Sequence, residues 1–272
     1  VAPFIDQRER QRISRRPPSS LNAWTLYQQG LLAYYTQTEN GLREAVERLD
    51  RAVDRDPEFA TAMAYGAAAR NRLILNYDVE DSVVLQAEVR TLLSRALQID
   101  PWDAMALLAS GVAADIEGNH ELAVRRVKEA VEVNPNSAYA WGTLAHVTRR
   151  AGDFTAALEA SETALGLSPR DDGLSLFLLQ RTAALYYLGR FDLCVDAGRE
   201  ATAADRPFPG AYMFLAAALI ELGLVEEGGR SVAELRQKFP SFKGGTTKVV
   251  ASTHDTTPAA PLDVISSAGF AI

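Results

Sequence analysis

The sequence is poor in the residues that carry most metal and redox chemistry. It has one cysteine, Cys194, and three histidines in 272 residues. A single cysteine excludes an intrachain disulfide and favours a reducing compartment. The histidines and the cysteine are scattered and reproduce no metal-ligand spacing. We therefore predict no metal site in this chain.

Long apolar runs, positive charge and phosphate-binding loops are also missing. The longest apolar stretch, residues 211–225, is interrupted by Glu221 and is too short to span a bilayer. The formal net charge is −7, whereas phosphate binding requires clustered Lys and Arg. No glycine pair is followed by the lysine and hydroxyl residue of a phosphate loop. These absences predict no membrane association, no nucleic-acid binding by this segment, no cofactor and no enzymatic activity of its own.

The chain does contain an internal repeat. Pro101, Pro135 and Pro169 are 34 residues apart, and Pro57 closes a similar segment earlier in the chain. Each proline follows an apolar and polar run such as Arg-Ala-Leu-Gln-Ile-Asp. A fixed period of this length is typical of solenoids built from helix pairs. Such arrays present an extended concave surface for binding.

The fourth repeat shows how the pairs would pack. Trp141 stands early in its first helix, and Ala145, Ala157 and Ala164 stand where two helices would touch. Extra methylene groups at such alanines cost roughly 1–3 kcal/mol, and a closing proline cannot continue a helix. These features resemble the tetratricopeptide repeat. The resemblance predicts an all-α, right-handed α-solenoid of about six tetratricopeptide helix pairs with a C-terminal capping segment.

Composition divides the chain into three segments. Residues 1–20, which are rich in arginine and contain Pro17-Pro18, are expected to link to an upstream domain, and residues 21–242 to form the solenoid. Residues 243–272 begin as a loop rich in Gly, Thr and Ser. A solenoid needs a terminal cap, and the alternative to a packed cap here is a disordered tail. The residues expected to pack onto the array are Leu262, Val264, Ile265 and Phe270.

The first helices of tetratricopeptide pairs line a groove that holds a protein or peptide partner, and this resemblance implies the same here. The residues predicted to line it are Tyr65, Arg72, Tyr139, Thr143, His146, Arg150, Gln180 and Tyr187. Tyrosine suits binding surfaces because it buries a large area and keeps a polar tip. Two alternatives stay open. Several tyrosines would instead pack between repeats, and the end of the helix carrying His146 would be solvated, with its arginines stabilising the helix dipole.

The order of features along the chain resembles one lineage more closely. It includes Arg16-Pro17-Pro18, Leu21-Asn22-Ala23-Trp24 and Pro135-Asn136-Ser137-Ala138-Tyr139-Ala140-Trp141-Gly142. Over about residues 9–242 the sequence is similar to the C-terminal repeat region of bacterial class III adenylate/guanylate cyclase-like proteins. A related region occurs in winged-helix transcriptional regulators.

This second resemblance implies a non-catalytic regulatory module in the bacterial cytoplasm. The module would follow a signalling output domain and bind a peptide or its own upstream domain in the groove. The alternative is the sensor half of a winged-helix transcription regulator. No residue of this chain matches the catalytic carboxylates of such cyclases, and pairing of the chain with itself as a homodimer stays open.

Overall fold

The computed structural model describes residues 21–77, 79–168, 173–205, 207–240, 242 and 258–271. These residues form thirteen α-helices, and no strand occurs among them. The helices are α1 (Leu21–Tyr35), α2 (Glu39–Arg55), α3 (Ala60–Asn76), α4 (Ser82–Ile99), α5 (Ala104–Ile116), α6 (His120–Val133), α7 (Ala138–Arg150), α8 (Phe154–Leu167), α9 (Leu174–Tyr187), α10 (Phe191–Thr202), α11 (Pro209–Glu221), α12 (Val225–Lys238) and α13 (Pro261–Ser267).

The chain divides into two compact units, Val1–Pro135 and Asn136–Ile272. Unit 1 contains the hairpins α1–α2, α3–α4 and α5–α6. Unit 2 contains the hairpins α7–α8, α9–α10 and α11–α12, followed by α13. Within each unit, the first helix of one hairpin packs against the first helix of the next. We call the surface formed by these first helices the first-helix face of each unit. It consists of α1, α3 and α5 in unit 1 and of α7, α9 and α11 in unit 2.

The same turn joins the two helices of four hairpins. Gly118, Gly152, Gly189 and Gly223 have φ between 68° and 86°, a region that favours glycine because a Cβ would be strained there. The amide after each glycine donates to a carbonyl five residues earlier, as from Asp153 to the residue 148 carbonyl at 3.0 Å. This pattern is the Schellman motif that ends a helix.

Short polar side chains start the helices that follow. Asn119 and Asp153 accept hydrogen bonds from backbone amides three residues later and so cap α6 and α8. Between hairpins, Asp56 and Asp100 each stand before a proline and accept a hydrogen bond from the amide two residues on. The repeated prolines thus mark turns between hairpins, as predicted, although Pro169 lies outside the described residues.

Unit 1 is held together by small, closely packed side chains and by one buried cation. Leu42, Ala45 and Leu49 of α2 recur with helical spacing and are fully buried. Arg70 of α3 is buried between the second helices on either side. Its Nη2 donates to Asp50 of α2 at 2.8 Å and its Nε to Glu88 of α4 at 2.7 Å. This guanidinium therefore links three helices.

The core of unit 2 is richer in aromatic side chains and also contains the C-terminal helix. Tyr186 and Phe214 lie at its centre, with ring centroids 5.6 Å apart. Val264 and Ile265 of α13 are buried in the same cluster. Leu262 and Phe270 are partly buried against it. The prediction of a packed C-terminal cap is therefore confirmed, and so is the all-α array of helix pairs. The predicted linker 1–20 and the loop 243–257 lie outside the described residues.

Candidate functional site

Six aromatic side chains of unit 1 form a continuous cluster along α1 and α3, which we call the aromatic strip. Its members are Trp24, Tyr27, Tyr34, Tyr35, Phe59 and Tyr65. On α1, Trp24, Tyr27 and Tyr34 share one side of the helix because of their helical spacing. On the α3 side, Phe59 lies just before the helix and Tyr65 lies within it.

Ring-to-ring contacts join the strip from end to end. The centroid of Tyr27 lies 5.4 Å from Trp24, 4.9 Å from Phe59 and 5.9 Å from Tyr65. Tyr34 lies 5.6 Å from Tyr65 and 5.4 Å from Tyr35, both in edge-to-face geometry. Such pairs contribute about 0.5–1.5 kcal/mol beyond their buried area. The contacts hold the rings in place before any partner arrives.

The strip has buried members and accessible ends. Tyr27 and Tyr34 are almost completely buried, and Phe59 and Tyr65 are half-buried. Trp24 and Tyr35, in contrast, remain 42% and 50% exposed. Large, rigid aromatic side chains of this kind are the usual anchors of protein interfaces. The strip thus has two exposed aromatic side chains, and the buried rings beside them are already fixed in place.

The strip carries hydroxyl groups rather than charge. Burial is the largest cause that raises the pKa of Tyr65 well above its usual range, and a hydrogen bond with Tyr35 is the next largest. Burial also raises the pKa of Tyr27 above its usual range, and the nearby carboxylate of Asp103 raises it further. Asp103 is itself buried and engaged, because it caps α5 and accepts the Thr61 hydroxyl at 2.7 Å. These tyrosines are therefore neutral hydrogen-bonding groups at physiological pH.

The predicted groove residues of α3 and α7 have mixed environments. Tyr65 belongs to the aromatic strip, and Arg72 is half-buried farther along α3. On α7, the spacing of Tyr139, Thr143, His146 and Arg150 places them on one side of the helix. Thr143 is buried, and its hydroxyl donates to the residue 139 carbonyl at 2.8 Å, whereas the other three are half-buried.

Two of the predicted groove residues are part of the interior of unit 2. Gln180 is 1% exposed, and its Oε1 accepts a hydrogen bond from Nε of Arg149 at 2.9 Å. Tyr187 is 6% exposed and stacks on Phe154 with ring centroids 4.8 Å apart. Thr143 is buried as well. These environments fit the alternative that several of the predicted groove residues, Tyr187 among them, pack inside the unit.

Sequence reasoning missed the exposed anchor Trp24 as a site residue, and Phe59 with it. The i, i+3 spacing of Trp24 and Tyr27 could have indicated a shared helix side. Nothing local links Phe59 to them, since its contact with Trp24, at 6.5 Å between centroids, joins residues from different helices.

Metal and membrane features are absent from the part of the chain that the structure describes. No cluster of three or more His, Cys, Asp or Glu side chains there could hold a metal ion. None of the described helices combines the length and apolar character that crossing a bilayer requires.

No protein-family model matches the sequence, but solved structures share its fold. The structure of pilF from Pseudomonas aeruginosa is 17% identical in sequence, with a TM-score of 0.59 over 81% of this chain and 93% of that one. The structure of PilW, a widely conserved type IV pilus biogenesis factor, is 16% identical, with a TM-score of 0.55 over 65% of this chain and 79% of that one.

A third structure matches a larger share of this chain. In the Cut9-Hcn1 hetero-tetramer of APC/C, the match has a TM-score of 0.66 and 12% identity. The match covers 97% of this chain and 46% of the matched chain, so this chain spans about half the length of the matched chain. Identities this low establish the fold alone. The chain has the tetratricopeptide-repeat fold predicted from its sequence.

Proposed function

We propose that this chain is a non-catalytic protein–protein interaction module that holds a protein or peptide segment on its first-helix face. The observation that carries the proposal is the aromatic strip, with Trp24 and Tyr35 exposed at its two ends. The rings are already fixed by neighbouring rings, so binding would require little additional ordering. The fold supports this function because helical repeat arrays present extended binding surfaces.

The chemistry of the strip indicates what kind of segment it would bind. It offers aromatic faces and neutral hydroxyls, with the carboxylate of Asp103 already engaged. An extended segment with apolar or proline side chains fits such a surface, since aromatic-lined grooves bind these segments and tyrosine hydroxyls can meet backbone groups. In unit 2, the half-buried Tyr139, His146 and Arg150 remain proposed lining residues of that unit's own face, where the imidazole and the guanidinium would suit an acidic segment.

The finer proposal concerns the cellular setting. The resemblance over about residues 9–242 supports a regulatory module of a cyclase-like signalling protein in the bacterial cytoplasm, with residues 1–20 as the link to its output domain. The partner would then be a separate peptide or that upstream domain. The alternative, the sensor half of a winged-helix regulator, rests on the same resemblance. The coding sequence upstream of Val1 separates them, since a cyclase domain would bring paired metal-binding aspartates and a regulator a basic recognition helix.

The binding surface can be tested without knowing the natural partner. A phage-displayed library of random dodecapeptides is selected on the whole chain, and the selected peptides are measured by fluorescence anisotropy. We expect Trp24→Ala and Tyr35→Ala each to weaken binding at least tenfold, about 1.4 kcal/mol, as for interface anchors.

Val83→Ala is the matched control, because Val83 is a 76% exposed apolar residue of the same unit on a second helix. Its effect should stay within twofold. Circular dichroism of each variant checks that folding is intact. Equal affinity of the selected peptides for all three variants, or a selection that yields no peptide, would contradict the proposal.

A further inference from the structure

The C-terminal segment of the chain covers the first-helix face of unit 2. α13 packs against α11. Just before it, the carbonyl of Ala259 accepts a hydrogen bond from the hydroxyl of Tyr186, on α9, at 2.9 Å. One short stretch, residues 258–270, therefore contacts two successive first helices.

The hydroxyl of Tyr186 donates its hydrogen bond to the main chain of the segment rather than to a side chain. The ring of Tyr186 is completely buried, and buried hydroxyls are almost always hydrogen-bonded. Its acceptor is a main-chain carbonyl, a group that any peptide in the same position would supply. The contact therefore does not depend on which side chain the segment carries at this position.

The apolar contacts have the spacing of a helix bound in a groove. Pro261, Val264 and Ile265 stand at i, i+3 and i+4 and are buried, which is the anchor pattern of helix-in-groove recognition. Phe270 extends the contact onto α12, where a Cβ on Gly229 would lie only 2.7 Å from its ring. Glycine at position 229 therefore makes room for this aromatic side chain.

Unit 1 contains a similar tyrosine pair at the end of a first helix. Tyr34 and Tyr35 end α1 as Tyr186 and Tyr187 end α9, with centroid distances of 5.4 and 5.5 Å and edge-to-face geometry in both pairs. Each pair is followed two residues later by a residue with positive φ, Gln37 or Gly189. Tyr34, like Tyr186, is buried. Tyr35 is half exposed, whereas its counterpart Tyr187 is enclosed by Phe154.

The covering segment has the properties of a bound ligand. α13 has seven residues, and helices shorter than about 12 residues are marginal in isolation, so its helical form depends on docking. Its outward side chains, Asp263, Ser266 and Ser267, are polar and exposed. Residues 243–257, which lie outside the described structure, connect it to the last hairpin, so an external partner would meet an intramolecular competitor.

We propose that the α9–α11 face is a second peptide-binding surface and that residues 258–270 occupy it as a tethered, displaceable ligand. An external partner for this surface is an amphipathic helix with an apolar i, i+3, i+4 side and a following aromatic residue. Displacement of the segment opens the surface. The proposal involves residues of unit 2 alone and does not depend on the aromatic strip.

The test uses the full chain and a fluorescein-labelled synthetic peptide of residues 258–270. Ile265→Asn in the chain removes a completely buried contact of the tethered segment. We expect this variant to bind the peptide at least tenfold more tightly than the wild-type chain, as measured by anisotropy, because its internal competitor is weakened. Adding Tyr186→Phe should then weaken binding several-fold, since the hydroxyl that reaches the backbone carbonyl is lost.

Ser266→Asn is the matched control, because it places the same residue at the adjacent, exposed position, and it should bind like the wild type. Equal peptide affinity of the wild type and Ile265→Asn, or no binding to either, would overturn the proposal. Hydrogen exchange on the wild-type chain provides a second measurement. A displaceable segment exchanges its α13 amides much faster than those of α11, whereas equal rates would make α13 an integral part of the unit and refute the proposal.

Discussion

Gly142 in α7 provides a direct test of how closely the first helices of unit 2 pack. A Cβ at this position would lie 2.3 and 2.4 Å from Cδ1 and Cε1 of Phe177 in α9. Phe177 is completely buried, so its rigid ring cannot turn aside without repacking its surroundings. The contact requires the neighbour to be glycine.

The expected effect of Gly142→Ala follows from two opposing contributions. Alanine is better than glycine in a helix by up to about 1 kcal/mol, whereas overpacking a filled core costs roughly 1–3 kcal/mol. We therefore expect a net loss of about 1 kcal/mol, and a Tm lower by roughly 4 °C for a unit of this size. Urea denaturation followed by circular dichroism measures the change.

Gly166→Ala is the control within the same unit. Gly166 is exposed near the end of α8, and no atom lies within 4 Å of a Cβ built there. At this position only helix propensity changes, and we expect the free energy of unfolding to rise by about 0.5 kcal/mol. In a double-mutant cycle, Phe177→Leu should relieve part of the effect of Gly142→Ala, with a coupling of about 0.5–3 kcal/mol. Equal stabilisation by the two glycine replacements would refute the packing argument.

Two further predictions concern buried polar groups. Arg70→Met should destabilise unit 1 by about 1–3 kcal/mol in urea denaturation, because both hydrogen-bonded ion pairs are lost. Arg70→Lys should not restore it, since an ammonium lacks the forked geometry of a guanidinium, and full stability of either variant would contradict this role. Burial raises the pKa of Cys194 to about 12 from an ordinary value of 9.0, so the unfolded thiol ionises first as pH rises. Stability of unit 2 should therefore decline between about pH 9 and 12, and rapid alkylation of the native chain at pH 8 would contradict the burial.

The helix pairs could be predicted from sequence because their signals are local. A glycine at the turn, as at Gly152, needs only its own backbone conformation, and a capping residue such as Asp153 needs only the next three residues. The proline that follows Asp100 ends a helix regardless of its neighbours in the fold. Since each repeat carries these signals again, the period reinforces them, and the fold class follows.

The candidate site could not be predicted to the same extent, because burial depends on side chains from other helices. Helical spacing predicts that Tyr187 lies on the side of α9 that faces the groove. In the structure, Phe154 from the preceding hairpin stacks on Tyr187 and encloses it. Gln180 is enclosed similarly by Arg149, which is 31 residues away in the chain. Helical spacing identifies which residues share a side but not which of them a neighbour covers.

The C-terminal segment shows the same limit at the level of a whole helix. Its apolar residues were compatible with a packed cap or a disordered tail, because a seven-residue helix has little stability of its own. The outcome depends on partners that the segment's sequence does not contain. They are the hydroxyl of Tyr186 and the open space above Gly229.

Because the chain supplies a ligand for one first-helix face and leaves the aromatic strip of the other unit accessible, two similar tyrosine pairs should respond differently to partners. A partner that binds the aromatic strip finds Trp24 and Tyr35 already exposed. Its measured affinity is therefore its intrinsic affinity, because no internal competitor has to be displaced. A partner of the α9–α11 face must compete with the tethered segment. In general, a tethered ligand whose effective concentration exceeds its intrinsic Kd about a hundredfold leaves about 1% of a surface unoccupied, and the apparent affinity of a competing partner then falls by about a hundredfold. A partner that binds there tightly must therefore make contacts that residues 258–270 lack, and weakening Ile265 should increase its affinity while leaving peptides of the strip unaffected.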